Sequence, residues 1–240
     1  MSLKQHCTVL GITAFIFGCI TIGSATAQQL DEQSVIQHID AAIKARFDGI
    51  ESFTVLEHYA VYRGSNDADP VAEMTVKTLY RRDSGKSYTI LSQSGQEIIQ
   101  KFAFAQLLDN ERRINQPSTR EASWFTSANY AMKIKPGGTQ PLNGRDCLVL
   151  AITARRKAPN LINGTIWVDP QDYSIVQIQG VASKSPSLFA GPPQMMRQYA
   201  NVSGFAQATH ARAMSNSFLF GKTVVTIDYR EYQVQLRAAK

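Results

Sequence analysis

The segment Leu142–Gly180, LNGRDCLVLAITARRKAPNLINGTIWVDPQDYSIVQIQG, decides the fold. Asn143-Gly144 is a two-residue hairpin signal, because a type I′ turn needs positive φ at both positions and these residues tolerate it. It joins Tyr130–Ile134 to Asp146–Ala154. Asn163-Gly164 opens the next strand, and Pro170-Gln171-Asp172 turns Ile166–Val168 back into Tyr173–Val181. Ile166 and Val168 share one parity, as do Val176 and Ile178, so each strand has one apolar face. Short turns between such strands make an antiparallel sheet. Trp167 falls on the opposite parity.

Working outward, the same period of two recurs on both sides. Phe53, Val55, Glu57, Tyr59 and Val61 share one face of an upstream strand, with Leu56, His58 and Tyr62 on the other. Gly64–Pro70 reads as a loop; Met74, Val76, Thr78 and Tyr80 then alternate with polar residues, and Asp83-Ser84-Gly85 turns the chain into Ser87–Leu91. Downstream, Gln194–Val202, Met214–Phe220 and Thr223–Leu236 read as strands, the last two joined at Gly221. In the final strand the apolar parity runs through Thr223, Val225, Ile227 and Tyr229, then shifts to Tyr232, Val234 and Leu236. That shift predicts a bulge near Arg230-Glu231, which a curved sheet needs and a flat one does not.

Two segments have helical spacing instead. Over Leu30–Phe47, Ile36, Ile39, Ile43 and Phe47 form one stripe against Gln37, Asp40, Lys44 and Asp48. Asp31 and Ser34 supply capping oxygens at its start, and Gly49 suits its end. A second helix is expected around 103–113, with Phe104, Leu107 and Leu108 inward and Pro117 barring extension. Trp124-Phe125 follow in an irregular stretch, where aromatics either cap a core edge or form a flap over a cavity.

Residues 1–27 read as a signal peptide: Lys4, the apolar run Val9–Ile20 and the small residues Ala25-Thr26-Ala27 predict cleavage after Ala27, the alternatives being a retained membrane anchor or lipidation at Cys19 after Ile16-Phe17-Gly18. The apolar run is too short to span a bilayer comfortably. The expected export is to the periplasm, leaving residues 28–240 as a single domain. Cys147 is then the only cysteine, so no internal disulfide supports the fold, and its apolar strand makes it a small buried hydrophobe. The net charge of +6 is scattered over Arg81-Arg82, Arg112-Arg113 and Arg155-Arg156-Lys157. A nucleic-acid binder concentrates such charge among aromatics, so nucleic acid is not an expected partner.

Catalytic motifs fail on spacing. Gly85-Lys86-Ser87 and Gly221-Lys222-Thr223 lack the earlier glycine of a phosphate loop, with Tyr80 and Asn216 in its place. His38, His58 and His210 are far apart, no Gly-x-Ser-x-Gly elbow exists, and Asp169 and Asp172 are turn residues. No catalytic residue, metal site or cofactor is expected. What remains is apolar inventory, including Met195-Met196, Phe189, Phe218 and Phe220: more than a minimal core requires.

The segments NGRDCLVLAITARRK (Asn143–Lys157), INGTIWVDPQDYSIVQIQG (Ile162–Gly180), KSPSLF (Lys184–Phe189) and FLFGKTVVTIDYREYQV (Phe218–Val234) resemble the outer-membrane lipoprotein-sorting protein-like family, which is similar to the periplasmic lipoprotein carriers LolA and LolB. The resemblance implies a mainly β, α+β fold: an incomplete, strongly curved antiparallel β-barrel with helices covering its open concave side. It further implies a hollow that takes up lipoprotein acyl chains or lipids for passage towards the outer membrane, without enzymatic chemistry, and a membrane-bound donor or acceptor protein as partner. The alternative is an envelope lipid or lipoprotein sensor or scaffold acting through a protein partner. The expected lining of the hollow is Tyr80, Leu150, Ile152, Ile166, Val168, Val176, Ile178, Met196, Phe218 and Phe220. The expected lid is Ile36, Ile39 and Ile43 on the first helix with Phe104, Leu107 and Leu108 on the second.

Overall fold

The computed structural model describes residues 31–64, 69–185, 191–217 and 221–238. The expected leader 1–27, the expected lining residues Phe218 and Phe220, and Phe189 lie outside the described residues. So do residues 65–68 of the expected Gly64–Pro70 loop.

Alternating apolar side chains give β1 (Ile50–Arg63) and β2 (Ala72–Arg81), and β3 (Gly85–Gly95) is the more exposed strand paired along β2. The later strands are β4 (Tyr130–Leu142), β5 (Arg145–Ala154), β6 (Ile162–Val168), β7 (Ile175–Ala182), β8 (Gln194–Val202), β9 (Phe205–Ser217) and β10 (Gly221–Leu236). All ten form one antiparallel sheet in the order β3-β2-β1-β10-β9-β8-β7-β6-β5-β4, so the first and last strands pair in the middle and the sheet is not closed into a barrel. Its free edges are β3 and β4.

The turns behave as their residues require. Asn143 (φ 52°) and Gly144 (φ 78°) both adopt left-handed backbone between β4 and β5. Asp169 Oδ1 accepts the Gln171 N–H and Asp172 Oδ1 the Ser174 N–H, each at 2.9 Å, so both carboxylates serve the β6–β7 turn. The parity shift in β10 is a bulge: Arg230 pairs with Leu56, but the next partner of Thr54 is Gln233, and Glu231 sits at φ 57°. Five strand pairs carry such irregularities, the means by which a wide sheet bends.

One strand is longer than its sequence suggests. β9 begins at Phe205, nine residues before Met214, through a run containing Ala206, Ala208, Ala211 and Ala213. Alanine is a poor strand former and gives no alternation of large apolar residues, so only pairing to both β8 and β10 makes this segment a strand.

Helix α1 (Glu32–Gly49) is capped by the Asp31 carboxylate, which accepts the Gln33 and Ser34 N–H groups. It crosses the concave face from one side to the other. Near its start Glu32 accepts the Ile134 N–H of β4 at 2.9 Å; near its end Arg46 donates to the Ala206 carbonyl of β9 at 2.7 Å, and Asp48 meets Arg82 at 3.3 Å. Asp40 ties its middle to Ser127, accepting from the backbone N–H and the hydroxyl. A Cβ on Gly49 would lie 2.4 Å from the Phe205 ring, so glycine lets that ring close over the helix end. A π-helical turn (Ile99–Phe104) leads into α2 (Ala105–Ile114), which ends before Pro117 as expected. No helix among the described residues is long and apolar enough to cross a membrane.

Two apolar clusters share the concave face. Under α1, Val35, Ile36 and Ile39 pack on Tyr130, Leu148, Leu150, Ile152, Ile166, Val168 and Ile178 of β4–β7. Under α2, Phe104 and Leu108 pack on Phe53, Val55, Tyr59, Met74, Val76 and Tyr80, with Ile227 and Tyr229 of β10.

Candidate functional site

Between the two covered regions a cavity of about 300 Å³ remains open. The C-terminal half of α1 contributes Ile43, Arg46 and Phe47; β1 gives Phe53 and Glu57, β2 Tyr80, and β3 Lys86. The end of α2 adds Glu111 and Ile114, and the irregular stretch before β4 adds Arg120, Trp124 and Phe125. Arg197 and Tyr199 of β8, Phe205 and Gln207 of β9, and Tyr229 and Tyr232 of β10 complete the wall. Tyr229 and Tyr232 reach the same space although three residues apart on a strand, because the bulge at Glu231 reverses the parity between them.

Much of this wall is aromatic. Phe47 stacks on Trp124 with ring centroids 4.2 Å apart, Phe53 on Tyr80 at 4.9 Å, and Tyr232 leans on Phe53 at 5.7 Å. Phe125 stacks on buried Tyr130 at 5.3 Å, so Trp124-Phe125 both brace the core edge and wall the cavity. Such rings bury large area with few rotatable bonds, which suits a preformed apolar site.

The other part of the wall is charged. Glu111 on α2 meets Lys86 at 2.9 Å and Arg197 at 3.7 Å, and accepts from Asn115 at 3.4 Å. Burial by itself raises the Glu111 carboxyl, but the two cations and these hydrogen bonds outweigh it and hold the group at about 2. Burial likewise depresses Lys86, and Glu111 with Glu57 more than restores it, leaving the ammonium well above its ordinary range. Glu57, only 1 % exposed, accepts from the Tyr59 hydroxyl at 2.5 Å through Oε2, while Oε1 has no hydrogen-bond partner among the described residues.

Arg46 is placed differently. It donates from Nε to the Ala206 carbonyl at 2.7 Å and from Nη2 to Gln207 Oε1 at 3.0 Å, and its guanidinium lies 4.8 Å over the Phe47 ring. Among the described residues no carboxylate pairs with it. Burial lowers its pKa, yet an arginine in a protein keeps its charge. Three more donors on the cavity wall are buried without a partner: Gln207 Nε2, Trp124 Nε1 and Arg120 Nε. Each orphaned donor costs about 1–3 kcal/mol.

Of the expected lining, Tyr80 faces the cavity. Leu150, Ile152, Ile166, Val168 and Ile178 have the inward parity read for them, but α1 covers them and fills the space above, so they lie in a packed interior and not at the cavity. Val176 is buried outside both clusters, and Met196, opposite Gln179, alternates with Met195 and Arg197 and does not line the cavity. Of the expected lid, Ile43 lines the cavity, Ile36 and Ile39 seal the α1 half, and Phe104, Leu107 and Leu108 pack in or against the α2 half. Cys147 is buried on β5, where burial pushes its thiol up. The charged members of the wall were not singled out from sequence; the legible signal is Glu57, a carboxylate on the same parity as Phe53, Val55, Tyr59 and Val61.

The fold and this hollow define an open antiparallel half-barrel with a helix-covered concave face. No protein-family model matches the chain, and no curated protein matches it. Solved structures are similar to it at low identity. A LolA superfamily protein from Nitrosomonas europaea is similar at 13% identity and TM-score 0.45, over 85% of this chain and 93% of that one. A domain named for outer membrane lipoprotein sorting from Vibrio parahaemolyticus is similar at 14% identity and TM-score 0.47, over 85% and 92%. A DUF1329 family protein from Desulfovibrio piger is similar at 13% identity and TM-score 0.43, over 85% and 95%. Every TM-score is below 0.5, and the fold stands on the strand order and register above.

Proposed function

We propose that this protein is a periplasmic binder of acyl-chain ligands that carries a lipid or lipoprotein towards the outer membrane, with residues 1–27 as its cleaved leader and 28–240 as one binding domain. The observation that carries this reading is the cavity between the α1 and α2 regions, walled by Phe47, Phe53, Trp124, Phe205 and Tyr232. An apolar hollow in a folded chain otherwise forfeits contacts that a hydrocarbon would supply. Each buried methylene contributes about 0.8 kcal/mol, so even a short chain is retained against water. At about 300 Å³ the cavity lies at the lower end of small-molecule sites, which fits part of one chain and not several long ones at once. Native mass spectrometry of protein purified from the periplasm tests the reading: lipid-sized adducts are expected. An apo mass together with no uptake of a fluorescent fatty acid sinks it.

One observation favours a second reading. Edge strand β3 exposes Ile90 and Leu91, each by about half (50 % and 54 %). An unpaired edge with apolar side chains is a surface to which another chain can add. On that reading the hollow senses envelope lipids or lipoproteins and signals through a bound protein, without enzymatic chemistry. Recovery of a single stoichiometric membrane partner, with no lipid transfer between vesicles, would favour it over carriage.

A further inference from the structure

Resting on the acyl-chain reading above, we infer that the cavity is built for an anionic amphiphile, whose oxyanion head sits against Arg46 and Gln207 while its chain runs along the Phe47–Trp124 and Phe53–Tyr232 rings. Gln207 is wholly buried at 0 % exposure; its Oε1 is committed to Arg46, and its Nε2 has no partner among the described residues. Buried polar groups in native structures are nearly always satisfied, so idle hydrogens on an amide of the cavity wall point to a missing acceptor.

Arg46 supplies the charge. Its described partners are two neutral oxygens, the Ala206 carbonyl and Gln207 Oε1, so its positive charge is oriented but not neutralised. No carboxylate that shares the wall pairs with it: Glu111 answers Lys86 and Arg197, Asp172 accepts the Ser174 N–H in its turn, and Glu57 accepts from Tyr59 through Oε2 with Oε1 unpartnered among the described residues. Trp124 Nε1, another idle donor, belongs to the ring stacked on Phe47, the same ring over which the Arg46 guanidinium lies. The corner thus sets a cation and an amide together, with aromatic surface beside them. A carboxylate or phosphate accepts from both donor types, whereas a hydrocarbon leaves them unpaired.

The test uses the full mature chain freed of lipid and titrated calorimetrically with dodecanoate, dodecyl phosphate, dodecanol and inorganic phosphate. The two anionic amphiphiles are expected to bind about tenfold or more tightly than dodecanol, as one or two charge-assisted hydrogen bonds would give. Gln207→Glu keeps the acceptor for Arg46 but places a negative charge where the head would lie; Arg46→Gln removes the cation. With folding verified by circular dichroism, each should bring the ratio of anionic to neutral affinity close to one. Equal affinity of wild type for all three amphiphiles, or parallel weakening by both variants with the ratio preserved, overturns the head assignment and leaves the chain reading standing. Failure of every amphiphile to bind removes both. Inorganic phosphate binding as tightly as dodecyl phosphate would mark a free-anion site and overturn the amphiphile.

Discussion

The two halves of the concave face start from the same alternation and end as different environments. The α1 half packs Val35, Ile36 and Ile39 on Leu150, Ile166 and Ile178, and no buried charged residue among those described lies on β4–β7. The α2 half mixes Tyr59, Met74 and Phe104 with the neighbouring carboxylates and cations Glu57, Lys86, Glu111 and Arg197. What differs is the cover. The first turns of α1 lay Val35, Ile36 and Ile39 on β4–β7, while α2 is ten residues long and ends at the cavity with Glu111 on its wall. The lesson is that strand parity states which face is inward, and the covering helix states whether that face becomes core or site.

Substitutions can break this contrast. The largest effect is expected from Glu111→Ala, which leaves Lys86 and Arg197 buried without their shared anion; removing one partner of a buried pair costs about 3–5 kcal/mol. Urea unfolding at neutral pH measures it, and a loss below about 1 kcal/mol would mean that solvent already screens the cluster. Next comes Leu150→Ala in the α1 half, expected to cost about 3 kcal/mol through lost transfer energy and a residual void. Because Leu150 lies under α1 and away from the cavity, uptake of a fluorescent fatty acid should be unchanged. Reduced uptake by a folded Leu150→Ala protein would erase the distinction between the halves.

Acid sharpens the same contrast. The Glu111 carboxyl sits at about 2 in the folded chain against an ordinary 4.5, so its contribution to stability is complete above about 4.5 and is lost as pH falls from there through about 2. Glu111→Gln should flatten that limb of a stability–pH curve, and Leu150→Ala should leave its shape intact. An unaltered acid limb in Glu111→Gln would place the titration elsewhere. The smallest effect is expected from Asp31→Ala, which removes the N-cap of the helix that seals the α1 half: about 1 kcal/mol, read as a shift in unfolding midpoint with an unchanged denaturant slope.

Much of the fold was legible along the chain. The Asn143-Gly144 hairpin, the β6–β7 turn, the α1 stripe with its Asp31 cap and the β10 bulge all rest on local rules, and local rules act through neighbouring residues. β9 was half hidden because alanines carry little strand preference of their own. The candidate site was legible only at Tyr80 and Ile43, and in the pairing of Trp124-Phe125 with a cavity or core edge. Arg46 stands outside the apolar stripe of its helix and meets β9 only through the tertiary fold, and Gln207 lies in a segment with no strand signal.

Composition, alternation and turn chemistry determined by themselves that this chain makes a bent antiparallel sheet with an apolar side and two helices to cover it. Tertiary structure alone decided where the cover leaves a gap. Side chains more than a hundred residues apart, Arg46 with Gln207 and Phe53 with Tyr232, meet there through register and a bulge, and pairings of that range leave no periodic trace in sequence. The covering is a matter of helix length and volume, and parity carries neither.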